Sequence, residues 1–177
     1  MTMKKNFDVI GATMHATGMD NVLLTRVDDR LVHGQVMTSW QKATGANKFM
    51  VVDDEVAAND LMKTVLKGVV PSNVKLGVFT VQKAVDRLVK GFKPTDKVIM
   101  LVKTPLTILR LSDAGIDFNS LNIGGMGISG SRKTFYQNIA CSDEEVDAMR
   151  KLIDRGCKIT IQIVADDPKK DVAEILK

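Results

Sequence analysis

Val22-Leu23-Leu24-Thr25-Arg26-Val27-Asp28-Asp29-Arg30-Leu31-Val32-His33-Gly34-Gln35-Val36-Met37-Thr38-Ser39-Trp40-Gln41-Lys42-Ala43-Thr44-Gly45 reads as a strand, a polar loop and a helix in direct succession. Val22–Val27 is a short apolar run of the kind that a strand buried on both faces requires. From Gln35 to Thr44 the spacing changes to that of a helix, with Val36, Trp40 and Ala43 on one face and Gly45 as the stop. Between them lie two acids, an arginine and one of the chain's two histidines. A strand that feeds a helix through so short a loop is the first half of a βαβ unit, and the rest of the chain repeats that alternation.

Further strands are expected at Lys48–Val52, Lys75–Phe79, Lys97–Val102, Ser120–Ile123 and Lys158–Val164, with another at Tyr136–Ala140. Helices are expected between them. One places Met62, Val65, Leu66 and Val69 inward, and Pro71-Ser72-Asn73 turns the chain back after it. Thr80 caps a helix whose Val81, Ala84, Val85, Leu88 and Val89 follow helical spacing. Thr104-Pro105 opens one that stops at Gly115, and Ser142-Asp143-Glu144-Glu145 is a capping box for one ending at Gly156. Val172–Leu176 adds a terminal helical turn. The expected fold is α/β: an open, mostly parallel sheet of about seven strands with helices on both faces. Residues 1–20 carry no such pattern and are expected to be an N-terminal extension, with Met19 an alternative start, and 21–177 form the domain.

The chain has 177 residues, 45% of them apolar and 26% charged, which is the make-up of one globular domain and not of a disordered chain. Its longest strictly apolar run, Val98–Val102, is five residues, far below the roughly 20 that span a bilayer. No signal-peptide pattern follows Lys4 and Lys5, so a cytoplasmic location is expected. The net charge of +4 is mild, and the eight aromatics (6 Phe, 1 Trp, 1 Tyr) do not alternate with basic residues, so no nucleic-acid partner is expected. Cys141 and Cys157 match neither a disulfide framework nor a zinc pattern, and no metal and no cofactor are expected.

In a sheet of this kind ligands gather beyond the carboxyl ends of the strands. That directs attention to Asp28–Gln35, Asp53–Glu55, Phe79–Thr80, Lys103–Thr104 and Gly124–Gly130. His33 is a nucleophile candidate, because a neutral imidazole keeps a free lone pair. A phosphoryl group on it would lie at a helix start, where unpaired N–H groups favour anions, and Gly34 would let the backbone approach. Arg30 can bind phosphate oxygens, and Asp28 or Asp29 can hold Arg30 or orient the imidazole. Gln35 belongs to the same phosphate loop. On a blander view His33 only caps a loop and the acids are solvated turn residues.

His15 lies in the patternless arm and is assigned no chemistry. No Walker lysine follows Gly124, Gly125, Gly127 and Gly130, so this stretch, with Met126, is expected to form a flexible second wall of the site or, on the blander view, a long turn, Arg132 and Lys133 standing at its far end. Asp53-Asp54-Glu55 is a helix-start signal and Trp40 is packing.

Arg26-Val27-Asp28-Asp29-Arg30-Leu31-Val32-His33-Gly34-Gln35-Val36 resembles the active-site segment of the enzyme IIB subunits of the mannose/fructose/sorbose class of the bacterial phosphoenolpyruvate-dependent sugar phosphotransferase system. Val51-Val52-Asp53-Asp54-Glu55-Val56-Ala57, Val70-Pro71-Ser72-Asn73-Val74 and Leu121-Asn122-Ile123-Gly124-Gly125-Met126 are similar to it in the same order. The resemblance covers Met19 to the C-terminus and implies an open, largely parallel seven-stranded sheet. It implies that His33 accepts a phosphoryl group through Nδ1 from a phosphohistidine on enzyme IIA. The group would then pass to a sugar held by the membrane subunits IIC and IID, with Arg30 and Asp28 supporting the phosphorylated loop. The protein would dock at the inner face of the membrane for that step. The sugar and any self-association are left open.

Two other readings compete. In a receiver-type signalling domain Asp28 and Asp29 would bind magnesium and Lys103 or Thr104 would sense an acyl phosphate. Strand three ends in Phe79-Thr80, however, with no aspartate to phosphorylate. In a pure interaction module His33 would be incidental.

Overall fold

The computed structural model describes residues 17–177, with the side chains of Gln35 and Val36 outside that description. His15 and most of the expected N-terminal extension lie outside the described residues. A 3-10 turn, Thr17–Asn21, leads into β1 (Val22–Asp28). The chain continues through α1 (Gly34–Thr44), β2 (Lys48–Val52), α2 (Asp54–Ala57), α3 (Asp60–Val69), β3 (Lys75–Phe79), α4 (Val81–Lys90), β4 (Val98–Val102) and α5 (Pro105–Asp113). It ends with β5 (Ser120–Gly125), β6 (Lys133–Tyr136), β7 (Ile139–Cys141), α6 (Asp143–Asp154), β8 (Lys158–Ile161), β9 (Lys170–Asp171) and α7 (Val172–Ile175).

The seven-stranded sheet has the order β3-β2-β4-β1-β5-β8-β9. Every pair is parallel except β8 with β9, and β6 and β7 form a separate antiparallel hairpin. Alternate residues of the central strands enter two cores, as the pleat requires. Met50, Val52, Val98, Met100 and Val102 meet α4, α5 and α6 on one face. Phe49, Val51, Ile99 and Leu101 meet Met37 and Trp40 of α1, Val56 of α2 and Leu66 of α3 on the other. Burial on both faces explains why β4 is apolar throughout.

Strand order also places the site. After β1 the chain crosses to one face through α1, whereas after the flanking β4 and β5 it crosses to the other face through α5 and α6. The loop after β1 therefore sits at a topological switch point, where the two crossovers part and leave a crevice beyond the strand ends.

The helix starts follow the expected chemistry. Thr104 caps α5 ahead of Pro105, and Ser142 with Glu145 forms the reciprocal capping box of α6. Asp53 caps α2 by accepting from the Val56 N–H.

Several boundaries differ from expectation. The segment after β2 is two helices, and of Met62, Val65, Leu66 and Val69 only Leu66 is buried. Leu66 joins the core with Phe49 and Val51, and β3, the edge strand beside them, is itself largely half-buried, so the other apolar side chains of α3 find little surface to pack on. In α1 Ala43 faces solvent, and Met37 and Trp40 face inward. β8 ends at Ile161 because the Gln162 carbonyl is taken by two side chains, Arg26 Nη1 and Asn122 Nδ2, each at 3.1 Å. The Thr17–Asn21 turn rests on α4, where Gly18 leaves no room for a Cβ against the Leu88 backbone. Asn21 Nδ2 donates to the carbonyls of Lys93 and Asp96.

Candidate functional site

The loop after β1 turns sharply. The Leu31 N–H donates to the Asp28 carbonyl at 2.9 Å, and Leu31 takes a left-handed φ of 58°. For a branched residue that conformation costs roughly 1–2 kcal/mol. The turn drives Leu31 and Val32 into the core and leaves Arg30 and His33 at the surface. His33 is the N-cap residue of α1, in extended conformation, and its ring does not cap the helix. The ring is free for another partner.

That partner is Asp28, the last residue of β1. His33 Nε2 lies 2.8 Å from Asp28 Oδ2, and the carboxylate is fully buried while the imidazole is 19% exposed. A carboxylate only accepts, so Nε2 carries the proton and the lone pair of the neutral ring is on Nδ1. Asp28 Oδ1 accepts from the Arg30 backbone N–H at 3.1 Å and from Arg30 Nε at 3.4 Å. The Arg30 side chain is 56% exposed and projects its guanidinium at the surface beside the ring. Asp28 thus does both things that the sequence left open between two acids. Asp29 does neither: its Oδ2 accepts from the Gly127 N–H at 2.8 Å and from Arg132 Nη1 at 3.2 Å.

Beneath Asp28 is a group that sequence reasoning did not single out. Arg26 is completely buried, and its Nη2 donates to Asp28 Oδ2 at 3.2 Å. Its Nη1 donates to Asn122 Oδ1 and to the Gln162 carbonyl, and its guanidinium lies 5.5 Å from the centre of the Trp40 ring. Gly124 and Gly125 are explained by this pair. A Cβ at Gly124 would overlap the Arg26 guanidinium, and one at Gly125 would stand 2.7 Å from Asp28 Oδ1. Both glycines belong to β5, at an irregularity in its pairing with β1, and Met126 is buried. The expected second wall is therefore a seat for the ion pair, and the surface loop begins at Gly127. The signals that point to this arrangement are an arginine inside an apolar strand and a glycine pair at the end of another.

Burial works against both charges. It pushes the Asp28 carboxyl up, but the hydrogen bonds from His33 and the Arg30 N–H, with the Arg26 charge, outweigh it and hold Asp28 below the usual carboxylate range. Burial likewise pulls the Arg26 guanidinium down, against the charge and hydrogen bond of Asp28. Removing one member of a buried pair leaves the other without compensation, at a cost of about 3–5 kcal/mol. Arg26→Met is expected to lose stability in that range, read as a lower midpoint in urea denaturation.

A second network braces the loop from the side. Arg132 is 11% exposed and makes contacts with Glu145 at 2.8, 3.0 and 3.2 Å, besides its bond to Asp29. Glu145 Oε1 also accepts from Thr104 Oγ1 at 2.7 Å. Burial raises the Glu145 carboxyl, but Arg132, the Ser142 N–H and Thr104 together bring it below its ordinary value. Arg132 thus connects the β1 loop with the start of α6, and Glu145 is more than a capping residue.

Asp28 and Glu145 share one consequence. A carboxyl depressed in the folded state stabilises the fold above its unfolded pKa, near 4, and that contribution is lost as pH falls through the lower folded value. The melting temperature is therefore expected to stay level from pH 7 to about 5 and to fall steeply below about 4. In Glu145→Gln that acid-side fall should be shallower.

Gly34 has open space around its Cα, and Gln35 stands in the first turn of α1. The first N–H groups of that helix have no intrahelical acceptors and face the end where His33 sits. Lys103 Nζ lies 3.9 Å from Asp53 Oδ2 at the same edge of the sheet. Cys141 and Cys157 are buried thiols pushed up to about 12, each mainly by burial, so neither is a reactive thiolate. Among the described residues no three His, Cys, Asp or Glu side chains group to hold a metal ion. No helix of the described residues is long and apolar enough to cross a membrane.

Residues 22–177 match the family model described as PTS system sorbose subfamily IIB component. The chain is 30% identical over 159 residues to the PTS system fructose-specific EIIB component of Bacillus subtilis (strain 168), covering 90% of this chain and 98% of that protein. It is 35% identical over 156 residues to the N-acetylgalactosamine-specific phosphotransferase enzyme IIB component 1 of Escherichia coli (strain K12), covering 87% and 98%. The crystal structure of the IIBSor domain of the sorbose permease from Klebsiella pneumoniae superposes with a TM-score of 0.80 at 29% identity, over 88% of this chain and 96% of that one.

Proposed function

The chain belongs to the sorbose-subfamily IIB components of the sugar phosphotransferase system, and on that premise we propose that His33 carries the phosphoryl group through Nδ1. Family membership brings with it a phosphotransfer role in sugar uptake. In our reading the donor is a phosphohistidine on enzyme IIA and the acceptor is a sugar held by the membrane subunits IIC and IID. The observation that carries the assignment is the 2.8 Å contact between His33 Nε2 and the buried Asp28, which leaves Nδ1 as the nucleophile.

In the first step the Nδ1 lone pair attacks phosphorus in line with the donor's P–N bond. That bond breaks and its electron pair returns to the donor imidazole. Positive charge that develops on the His33 ring is stabilised by Asp28 through Nε2–H, as a buried carboxylate does for other imidazoles. The negative charge on the phosphoryl oxygens is met by Arg30 and by the first N–H groups of α1. In the second step a sugar hydroxyl oxygen attacks phosphorus, the P–Nδ1 bond breaks, and the ring recovers its lone pair while the hydroxyl proton leaves to solvent. Positioning and charge stabilisation are what phosphoryl transfer chiefly demands. Arg26, through Asp28, and Arg132, through Asp29, act as positioning residues. For the second step the protein docks on IIC and IID at the cytoplasmic face of the membrane.

Intact-mass measurement after incubation with phosphoenolpyruvate, enzyme I, HPr and a cognate enzyme IIA tests this. One phosphate per chain, labile in acid and stable in alkali, is the expected product. A phosphate labile in alkali as well as in acid would be an acyl phosphate and would overturn the assignment.

A further inference from the structure

Large apolar side chains that remain at the surface are informative when they gather in one place. Leu61 and Met62 are 73% and 37% exposed, Ile128 is 74% exposed and Ile163 37%. All four lie where the chain emerges at, or re-enters from, the carboxyl ends of the parallel strands. Leu61 and Met62 stand in the first turn of α3, which starts just beyond α2 at the end of β2. Ile128 follows Gly127, whose N–H is bound to Asp29 in the phosphate loop. Ile163 follows β8, and its carbonyl accepts from Trp40 Nε1 of α1 at 2.9 Å. Three separate segments thus expose apolar groups at the edge that also carries His33.

We propose that Leu61, Met62, Ile128 and Ile163 are the apolar anchors by which the phosphoryl-donor protein docks on this chain. The inference rests on the assignment of His33 as the phosphoryl acceptor. The argument is one of continuity: in-line transfer brings the donor's phosphorus within bonding distance of Nδ1, so the donor covers the surface surrounding the His33 ring. These side chains stand on that same carboxyl edge of the sheet, beyond strands on either side of β1. The charge agrees with a donor that brings an anion. Arg30 is the exposed cation next to the ring, and its carboxylate partner, Asp28, is already shared with Arg26 and His33. The donor face should therefore carry an apolar centre with acidic groups around its phosphohistidine. Leu61 and Ile128, the most exposed of the four, are expected to contribute most.

The test separates docking from chemistry. Phosphorylation of His33 is followed with phosphorylated enzyme IIA over a range of concentrations, and in parallel with phosphoramidate, a small donor that needs no docking surface. In the double variant Leu61→Ser/Ile128→Ser the KM for enzyme IIA should rise about tenfold or more, since a few central anchors carry most of the binding energy of an interface. Its maximal rate and its rate with phosphoramidate should stay within about twofold of wild type. Val69→Ser, an exposed change at the far end of the same helix, should leave the KM unchanged. An unchanged KM in the double variant would overturn the proposal, and a loss of transfer to the membrane subunits alone would give this face to the acceptor instead. Equal losses with both donors would also overturn it, because the substitutions would then be acting on the site and not on docking. If neither phosphorylated enzyme IIA nor phosphoramidate labels His33 in the wild-type protein, the acceptor assignment itself falls.

Discussion

His33→Ala is expected to abolish both phosphorylation of the chain by enzyme IIA and sugar phosphorylation in the reconstituted system, a loss on the order of 10⁴-fold or more. The size of the effect follows from the kind of residue that is removed. A covalent carrier has no substitute: without Nδ1 no bond to phosphorus forms on this protein, however well its surroundings are positioned. The fold should survive. His33 is at the surface, with one hydrogen bond to Asp28. Losing that bond costs about 1 kcal/mol. His15→Ala should transfer at the wild-type rate, which makes it the matched control. Rates from quench-flow and the mass of the protein check both variants.

Asp28→Asn is expected to slow phosphorylation by roughly 10³-fold or more while leaving His33 in place, as tautomer-fixing carboxylates do elsewhere. Both carboxylate oxygens of Asp28 are acceptors. Oδ1 takes the Arg30 N–H, and Oδ2 takes Arg26 Nη2 and His33 Nε2. An amide offers only one oxygen. With its NH₂ in the place of Oδ2 it donates to Nε2, which moves the ring proton to Nδ1 and occupies the reacting lone pair. With its NH₂ in the place of Oδ1 it meets the Arg30 N–H donor to donor and disrupts the turn. In either case Arg26 stays buried without a charge partner, so stability falls as well. The two effects are separable, since the rate is measured per folded molecule below the melting transition and the stability by denaturation.

Those two residues also show where legibility in the sequence ends. The alternation of β and α elements was readable because strands buried on both faces are apolar throughout, and because Thr104-Pro105 and Ser142-Asp143-Glu144-Glu145 mark helix starts by local chemistry. The loop from Asp28 to His33 was readable as a site because it combines an arginine, acids and an imidazole at a helix start. The division of labour between Asp28 and Asp29 was not. It depends on which carboxylate the pleat of β1 turns inward onto Arg26, and on Arg132 arriving from more than a hundred positions away. Gly124 and Gly125 looked like a flexible wall because a glycine required by a neighbouring side chain has the same letter as one required by a turn. The outward face of α3 was misread for a related reason: apolar spacing defines a stripe on a helix but does not say whether another element covers it.

Phosphorus–nitrogen coupling locates the bond itself. The protein is labelled with ¹⁵N histidine, phosphorylated through the donor relay, and observed by ¹⁵N and ³¹P NMR. A phosphorus coupled to Nδ1 of His33, with Nε2 still protonated towards Asp28, is the result predicted by the 2.8 Å contact. Phosphorus on Nε2, or on any residue other than His33, would contradict it.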